Sequence, residues 1–173
     1  TVGTTTYYVT GFGQNNCQSI DSLVLIVNAA PIVLAGNDTI ICVGDPITLA
    51  GLGATNYVWD NNVPSNGSNV GPITTTTYTV TATDQCGRTT TDQVVVLVGT
   101  PPVIDAGANT SICPGGSAVL SATGGVSYSW NNGLGAGNGV AVSPAATTAY
   151  VVTGTGANGC SATDTVTITV GNG

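Results

Sequence analysis

Internal repetition is the feature that most constrains this sequence. Six positions occupied by Gly, Cys, Leu and aromatic residues return 71 residues later: Gly36, Cys42, Gly44, Leu49, Tyr57 and Trp59 recur as Gly107, Cys113, Gly115, Leu120, Tyr128 and Trp130. Tyr78 and Cys86 recur, after small insertions, as Tyr150 and Cys160. Because self-similarity at a fixed period is the signature of repeat architectures, the sequence predicts a tandem array.

Each unit has an opening half and a closing half. The opening half reads P-x-x-x-A-G-x-x-x-x-x-C-x-G from Pro31 and again from Pro102, and continues to a Y-x-W triplet. The closing half reads T-T-x-Y-x-V-T, followed by a second Cys and a β-rich tail. Residues 1–28 carry only closing features, with Tyr8 and Cys17 as the matching positions. We therefore expect a window on a longer array: the C-terminal half of a repeat at 1–29, and complete repeats at 30–100 and 101–173.

Short runs rich in Thr, Val, Ile and Tyr arrive every 8–12 residues, and Gly and Asn clusters separate them. No stretch shows helical periodicity over a useful length. In the first complete unit the strands are predicted at 32–34, 39–41, 47–50, 57–59, 77–83 and 93–98. Many short strands at this spacing are typical of an all-β sandwich.

Two cysteines per unit, with no His and no C-x-x-C, favour disulfides over zinc, and free buried thiols are the alternative. We expect one disulfide per repeat, formed by Cys42 with Cys86 and by Cys113 with Cys160. Cys17 is expected to have its partner outside the chain. Closing a loop of this length contributes about 4 kcal/mol in the chain-entropy model. Disulfides also indicate an oxidising, extracytoplasmic compartment.

Two aromatic positions per unit are predicted to anchor the core. Tyr78 and Tyr150 lie in alternating strands and are expected to face inward, and Trp59 and Trp130 are expected to pack between the sheets. Ligand stacking is the alternative role for these rings. The joints at 28–31 and 99–102 contain proline, which indicates stiff connections between units.

The shortage of charge excludes several classes of function. The chain has one cation, Arg88, against eight acids, all Asp, and a net charge of −7. Binding to nucleic acid needs Lys and Arg to neutralise phosphates, so that class is excluded. No apolar run approaches the ~20 residues of a membrane helix, so no membrane insertion is expected. With no His, Lys or Glu, we expect no catalytic residues, no cofactor and no enzyme activity.

Calcium is the one metal that the composition allows, because it takes oxygen ligands. Asp38 and Asp105 are weak candidates, since they lie near predicted joints. The two units differ at these positions, which favours a role in turns and strand ends instead.

The last strand of each unit suggests a surface for self-association. Its inward positions are expected at Leu23, Leu25 and Val27, with equivalents in both later units. The alternate, outward positions are apolar in the first two units (Val24, Ile26, Val95 and Leu97) and Thr167 and Thr169 in the third. An exposed apolar strip on a nearly uncharged chain predicts lateral packing with other copies of the chain. A single-file rod and a wider internal core are the alternatives.

Three segments carry a family resemblance: DAGANTSICPGGSAVLSATGG, VSYSWNNG and VSPAATTAYVVTGTGANGCSATDTVTITV. They resemble the immunoglobulin-like, PKD-like tandem repeats of large secreted Bacteroidetes adhesins and filament proteins, which include cargo of the type IX secretion system. The resemblance implies immunoglobulin-like sandwiches at the cell surface and a host, prey or surface glycan as the target of regions outside the window. Tyr78 precedes Cys86 by eight residues, where immunoglobulin domains have two, so the disulfide is expected toward one end. Members of this lineage O-glycosylate Asp-Ser/Thr-apolar triplets, and Ser22, Thr39 and Thr165 lie in similar triplets.

The function expected from these features is mechanical. The chain is predicted to be a structural repeat region of an extracellular bacterial surface filament or adhesin, acting as a spacer or a laterally associating, fibre-forming stalk. The alternative is a carbohydrate-binding or accessory module of a secreted enzyme, for which Tyr7 and Phe12 are the aromatic residues without counterparts in the other units.

Overall fold

The computed structural model describes residues 2–54, 56–64 and 68–171. Over these residues the chain forms fifteen β-strands, a short 3-10 turn at Gln14–Asn16 and no α-helix. The all-β fold class is therefore confirmed. No helix within the described ranges is long and apolar enough to cross a membrane.

The N-terminal hairpin, residues 3–27, is a two-stranded antiparallel sheet. Its strands are β1 (Gly3–Phe12) and β2 (Gln18–Val27), joined by a five-residue turn. All of its residues are exposed, because no described part of the chain packs on either face.

The first sandwich, residues 31–99, contains six strands: β3 (Thr39–Cys42), β4 (Ile47–Thr48), β5 (Tyr57–Trp59), β6 (Asn69–Val70), β7 (Thr76–Thr83) and β8 (Thr89–Gly99). One sheet has the order β3-β8-β7-β5, and β4 pairs with β6 in the other. β3 runs parallel to β8, and the other pairs are antiparallel.

The second sandwich, residues 102–171, repeats this plan with seven strands: β9 (Thr110–Ile112), β10 (Ala118–Leu120), β11 (Ser127–Trp130), β12 (Gly135–Ala136), β13 (Val140–Val142), β14 (Thr148–Thr155) and β15 (Ser161–Val170). One sheet has the order β12-β11-β14-β15-β9, and β10 pairs with β13. β9 again runs parallel to the last strand. Two facing sheets with this strand order form an immunoglobulin-like sandwich.

Each sandwich has its own core, and alternation along the long strands determines which side chains enter it. In β7, Tyr78, Val80 and Ala82 are buried while their neighbours in the strand are not. Trp59 lies in the core of the first sandwich and Trp130 in the core of the second. Both indole N–H groups are buried, and among the described residues neither has a hydrogen-bond partner.

Candidate functional site: the junctions between repeats

The disulfide found in the structure joins the two sandwiches. Cys42 bonds to Cys160, with 5.6 Å between their Cα atoms and 118 positions between them in sequence. Cys42 is the last residue of β3 and pairs with Gly99 at the end of β8. Cys160 closes the turn between β14 and β15, where its carbonyl accepts the N–H of Gly156 at 2.8 Å. The segment between the two sandwiches, which follows Gly99, places the end of β3 beside the turn between β14 and β15.

The predicted pairs, Cys42 with Cys86 and Cys113 with Cys160, are wrong. Cys17, Cys86 and Cys113 are free and exposed. Cys42 lies beside the end of β8, whereas Cys86 precedes its start, and β8 has 11 residues. At about 3.3 Å per residue the two cysteines are roughly 30 Å apart, far beyond the reach of a disulfide.

The same geometry separates the other predicted pair. Cys113 follows β9, whose last residue, Ile112, pairs with Val170 near the end of β15. Cys160 immediately precedes the start of that ten-residue strand. Parallel pairing of the opening strand with the last strand therefore places the two cysteines of one repeat at opposite ends of its sandwich.

Close backbone approach makes the Cys42–Cys160 junction possible. A Cβ atom on Gly99 would lie 2.7 Å from Asn158 Nδ2 and 3.1 Å from Cys160 Sγ. Asn158 Nδ2 donates to the carbonyl of Thr100 at 2.9 Å, and its Oδ1 accepts the N–H of Cys160 at 3.1 Å. The turn of the second sandwich thus binds the linker through Asn158 and the first sandwich through Cys160.

The turn of the first sandwich contacts the preceding linker in a different way. Arg88 Nη2 donates to the carbonyls of Asn28 and Ala29 at 2.9 and 2.7 Å. Asp84 Oδ2 accepts from Arg88 Nε at 2.7 Å and orients the guanidinium. The hydrogen bond from the Arg88 N–H, and then the guanidinium, hold the pKa of Asp84 below its ordinary value. One junction is therefore held by an arginine and the other by a disulfide.

The strand register corrects the match between the turns. Thr83 pairs with Thr89 across one turn and Thr155 with Ser161 across the other, so each turn has five residues. Arg88 therefore occupies the position of Cys160, and Cys86 that of Asn158.

The N-terminal hairpin has the same five-residue turn. Its Gly13 N–H donates to the carbonyl of Cys17 at 2.8 Å, so Cys17 occupies the Cys160 position. The equivalence of Cys17 and Cys160 follows from their position in the five-residue turn, as the last residue of each.

The candidate calcium residues take part in backbone hydrogen bonds. Asp38 Oδ1 accepts the N–H of Val95 at 2.8 Å, and Asp105 Oδ1 accepts the N–H of Gly107 at 2.8 Å. Across 2–54, 56–64 and 68–171, no three His, Cys, Asp or Glu side chains converge as metal ligands do.

The predicted surface positions differ in exposure. Ser22 and Thr165 are exposed, and Thr39 is half-buried. In the apolar strip, Val24 and Ile26 are exposed, Leu97 is 41% exposed and Val95 is half-buried. Thr167, the equivalent of Val95, is half-buried as well.

Two features of the described part of the chain, a cleft and a buried tyrosine, bear on possible chemistry. A cleft of about 460 Å³ between β9 and β10 is lined by Ala, Gly, Ser, Thr, Val, Leu and Ile, without a titratable side chain. Burial, followed by the charge of Asp60, raises the pKa of Tyr78 above its ordinary value. Neither feature supplies a nucleophile or a base.

Comparison with known proteins gives structural neighbours of low sequence identity. No protein family model matches the chain, and no curated protein matches it. A 1.5-MDa bacterial ice-binding adhesin, studied for host cell surface retention, is 17% identical with a TM-score of 0.42, covering 97% of this chain and 75% of that one. A Ca²⁺-stabilized adhesin of an Antarctic bacterium is 14% identical with a TM-score of 0.41, covering 98% and 58%.

Immunoglobulin domains 1–5 of Sidekick-1 are 15% identical with a TM-score of 0.40, and the match covers 98% of this chain. The chain spans 46% of that Sidekick-1 chain. At these identities and TM-scores, the assignment of the fold rests on the sheet topology described above.

Proposed function

We propose that this chain is a structural repeat region of an extracellular bacterial surface adhesin or filament, and that it serves as a mechanical spacer. The observation that carries the proposal is the Cys42–Cys160 disulfide between consecutive sandwiches. A second covalent connection beside the linker fixes the angle between neighbours, which a spacer needs and a flexible tether lacks.

The disulfide also changes the path of tension through the chain. When the chain is pulled from its ends, force enters the first sandwich, crosses from Cys42 to Cys160 and leaves through β15. The 118-residue separation between the two cysteines is thereby removed from the extensible length. At about 3.5 Å per residue this shields roughly 400 Å of chain from extension.

Single-molecule force spectroscopy of the full chain tests this role. Oxidised protein should extend about 400 Å less than protein treated with a reductant, since a bond at Cys42–Cys160 bypasses the residues between them. Cys160→Ser should give the long extension without reductant.

Cys86→Ser is the matched control, because Cys86 is free and exposed in the same kind of turn. It should leave the short extension unchanged. A longer extension in Cys86→Ser would show that Cys86 is bonded, and would contradict the proposed load path.

Location and lineage belong to the same proposal. A structural disulfide persists in oxidising compartments, which supports an extracytoplasmic protein. The resemblance to Bacteroidetes surface repeats supports a place at the cell surface and export by the type IX system.

The role is non-enzymatic, in keeping with carboxylates that accept backbone hydrogen bonds, as Asp92 and Asp164 do.

Lateral association into a fibre is the finer form of the proposal. Leu97, Val24 and Ile26 supply exposed apolar surface on a chain with one cation. Leu97→Thr, which introduces the residue found at the equivalent position 169 of the second sandwich, should weaken self-association measured by sedimentation. An unchanged sedimentation profile of an associating wild type would remove this strip as the contact.

A further inference from the structure

The N-terminal hairpin has the same register as the closing hairpins of both sandwiches. Tyr7 pairs with Leu23, as Tyr78 pairs with Val94 and Tyr150 with Val166. Tyr7, and not Tyr8, is therefore the equivalent of Tyr78, which corrects the sequence match. Phe12, likewise, falls at the position of Thr83.

One face of the hairpin repeats the core-facing pattern of the sandwiches. It presents side chains at positions that are buried in both complete units: Tyr7, Val9, Gly11, Leu23 and Leu25 correspond to Tyr78, Val80, Ala82, Val94 and Val96. Val80 and Val96 are 0% exposed, whereas Val9 is 65% and Leu23 is 68% exposed. We call this face of the hairpin the inner face.

A carboxylate on the same face matches a structural acceptor in both sandwiches. Val9 pairs with Asp21, as Val80 pairs with Asp92 and Val152 with Asp164. Asp92 Oδ2 accepts the N–H of Ala35 at 2.9 Å, and Asp164 Oδ2 accepts the N–H of Ala106 at 2.8 Å. Those two alanines belong to the A-G pair of the opening half. Within the described residues, Asp21 accepts only the N–H of its neighbour Ser22, at 2.8 Å.

Two backbone N–H groups of the hairpin match further contacts to the opening half. Val95 and Thr167, the equivalents of Val24, donate to Asp38 and Asn109 at 2.8 Å. Thr79 and Val151, the equivalents of Tyr8, donate to Asp60 and Asn131 at 2.9 and 3.0 Å. In both sandwiches, the acceptor for each of these N–H groups is an Asp or Asn of the opening half.

We propose that the inner face is a docking site for an opening-half segment of this repeat type, carried on the same polypeptide, which completes a third sandwich. In the completed unit a Y-x-W strand would pair with the free edge of β1, as β5 pairs with β7, and the rest of the opening half would cover Tyr7 and Leu23. It would donate a backbone N–H to Asp21, and place an Asp or Asn side chain against each N–H of Val24 and Tyr8. This inference does not depend on the mechanical role of the array.

The way the opening halves of the two sandwiches join their long strands favours a segment on the same polypeptide. Thr75 Oγ1 accepts the N–H of Val98 at 3.1 Å, and Thr147 Oγ1 accepts that of Val170 at 3.1 Å. Each threonine stands where the opening half runs into its long strand. Thr4 is the equivalent residue for Val27, and in the proposed unit its Oγ1 would accept the Val27 N–H where the docked segment joins β1.

Charge disfavours a second copy as the occupant. Two hairpins packed face to face would bring Asp21 of each copy into an apolar interface without a donor. Burying an unpaired carboxylate is strongly unfavourable. An opening half, by contrast, brings a backbone N–H to that carboxylate.

The test protein carries a copy of residues 31–74 directly before Thr4, in place of residues 1–3, followed by the rest of the chain. The added copy carries the Cys42→Ser change. Hydrogen exchange at the Tyr8 and Val24 amides should slow at least about 100-fold, because both gain acceptors in a folded unit. The extended protein should remain monomeric.

Two variants of the extended chain separate docking from general folding. Asp21→Ala removes the proposed acceptor and should return exchange at both amides to within about threefold of the unextended chain. Ser22→Ala lies on the opposite face and should keep the protection.

Three results would overturn the proposal. The first is exchange at Tyr8 and Val24 as fast in the extended chain as in the original. The second is equal effects of Asp21→Ala and Ser22→Ala. The third is a concentration-dependent dimer of the unextended chain that already protects these amides, which would make a second copy the occupant.

Discussion

At the scale of single residues, the two sandwiches solve the same packing problem with different side chains. Ala82 and Gly154 occupy equivalent positions, and so do Val33 and Ile104. A Cβ on Gly154 would lie 2.2 Å from Ile104 Cδ1. The larger Ile104 of the second sandwich therefore fits only because Gly154 has no side chain, as close packing in protein interiors requires.

This compensation predicts a double-mutant effect. Gly154→Ala should destabilise the second sandwich by about 1–3 kcal/mol, because the added methyl group overpacks the core. Adding Ile104→Val, which reproduces the pair of the first sandwich, should recover most of that loss. Chemical denaturation of the single and double variants measures it. Additive losses in the double variant would show that the two side chains do not compete for space.

Acid sensitivity also belongs to particular residues. The N–H groups of Ala35 and then Gln93 hold the pKa of Asp92 below its ordinary value, and those of Ala106 and then Thr165 do the same for Asp164. Because the folded pKa lies below the unfolded value of about 3.9, stability is fully present above that pH and is lost as the pH falls through the folded pKa.

The thermal midpoint should therefore be constant from pH 7 to about pH 5 and fall below about pH 4. Replacing Asp92 and Asp164 by Asn keeps an acceptor oxygen but removes the titration, so the acid dependence should be flatter. Calorimetry over this pH range measures both proteins. An acid dependence unchanged in the double Asn variant would assign the loss to other carboxylates.

At the scale of elements, the sequence predicts where the strands lie better than it predicts which strands pair with one another. Alternation of Thr with Val and Tyr was enough to locate the long strands that became β7 and β8. The predicted strand at 32–34 forms only an isolated bridge between Leu34 and Leu52. Pro31 lacks an N–H, and Gly36 has a φ of 91°, so pairing cannot extend in either direction.

The predicted cysteine pairs are wrong because disulfide pairing depends on the topology of the sheets. Spacing along the sequence places two cysteines in each repeat, but only the parallel pairing of β3 with β8 shows that they lie at opposite ends. No local pattern distinguishes a parallel neighbour from an antiparallel one. The shift of two positions between Cys86 and Cys160 was missed for the same reason, since both turns have five residues but different sequences.

Two glycines that occupy equivalent strand ends provide a test of the junction. Gly99→Val should prevent formation of the Cys42–Cys160 bond, since even a Cβ would clash with Asn158 and Cys160. Gly171→Val, at the equivalent position of the second sandwich, meets only the Ile112 carbonyl at 3.7 Å and should leave the bond intact. Thiol alkylation of the folded variants measures the difference. Equal alkylation of Cys160 in both would contradict the close approach described for Gly99.

At the scale of the whole molecule, each junction has two attachments. The linker is one, and the turn of the following unit makes the other: Arg88 binds the linker itself at the first junction, and Cys160 bonds to the preceding sandwich at the second. In the proposed spacer, attachments of this kind would make the array resist bending as well as stretching. The exposed inner face of the hairpin is the place where the same plan predicts one more unit.

Peptide mapping of the native, unreduced chain tests the central claim most directly. After alkylation of free thiols and proteolysis between the cysteines, mass spectrometry should find one crosslinked pair, Cys42 with Cys160, and alkyl groups on Cys17, Cys86 and Cys113. Crosslinks of Cys42 with Cys86 and of Cys113 with Cys160 would place each disulfide inside a single repeat. That result would contradict the covalent junction on which the proposed spacer depends.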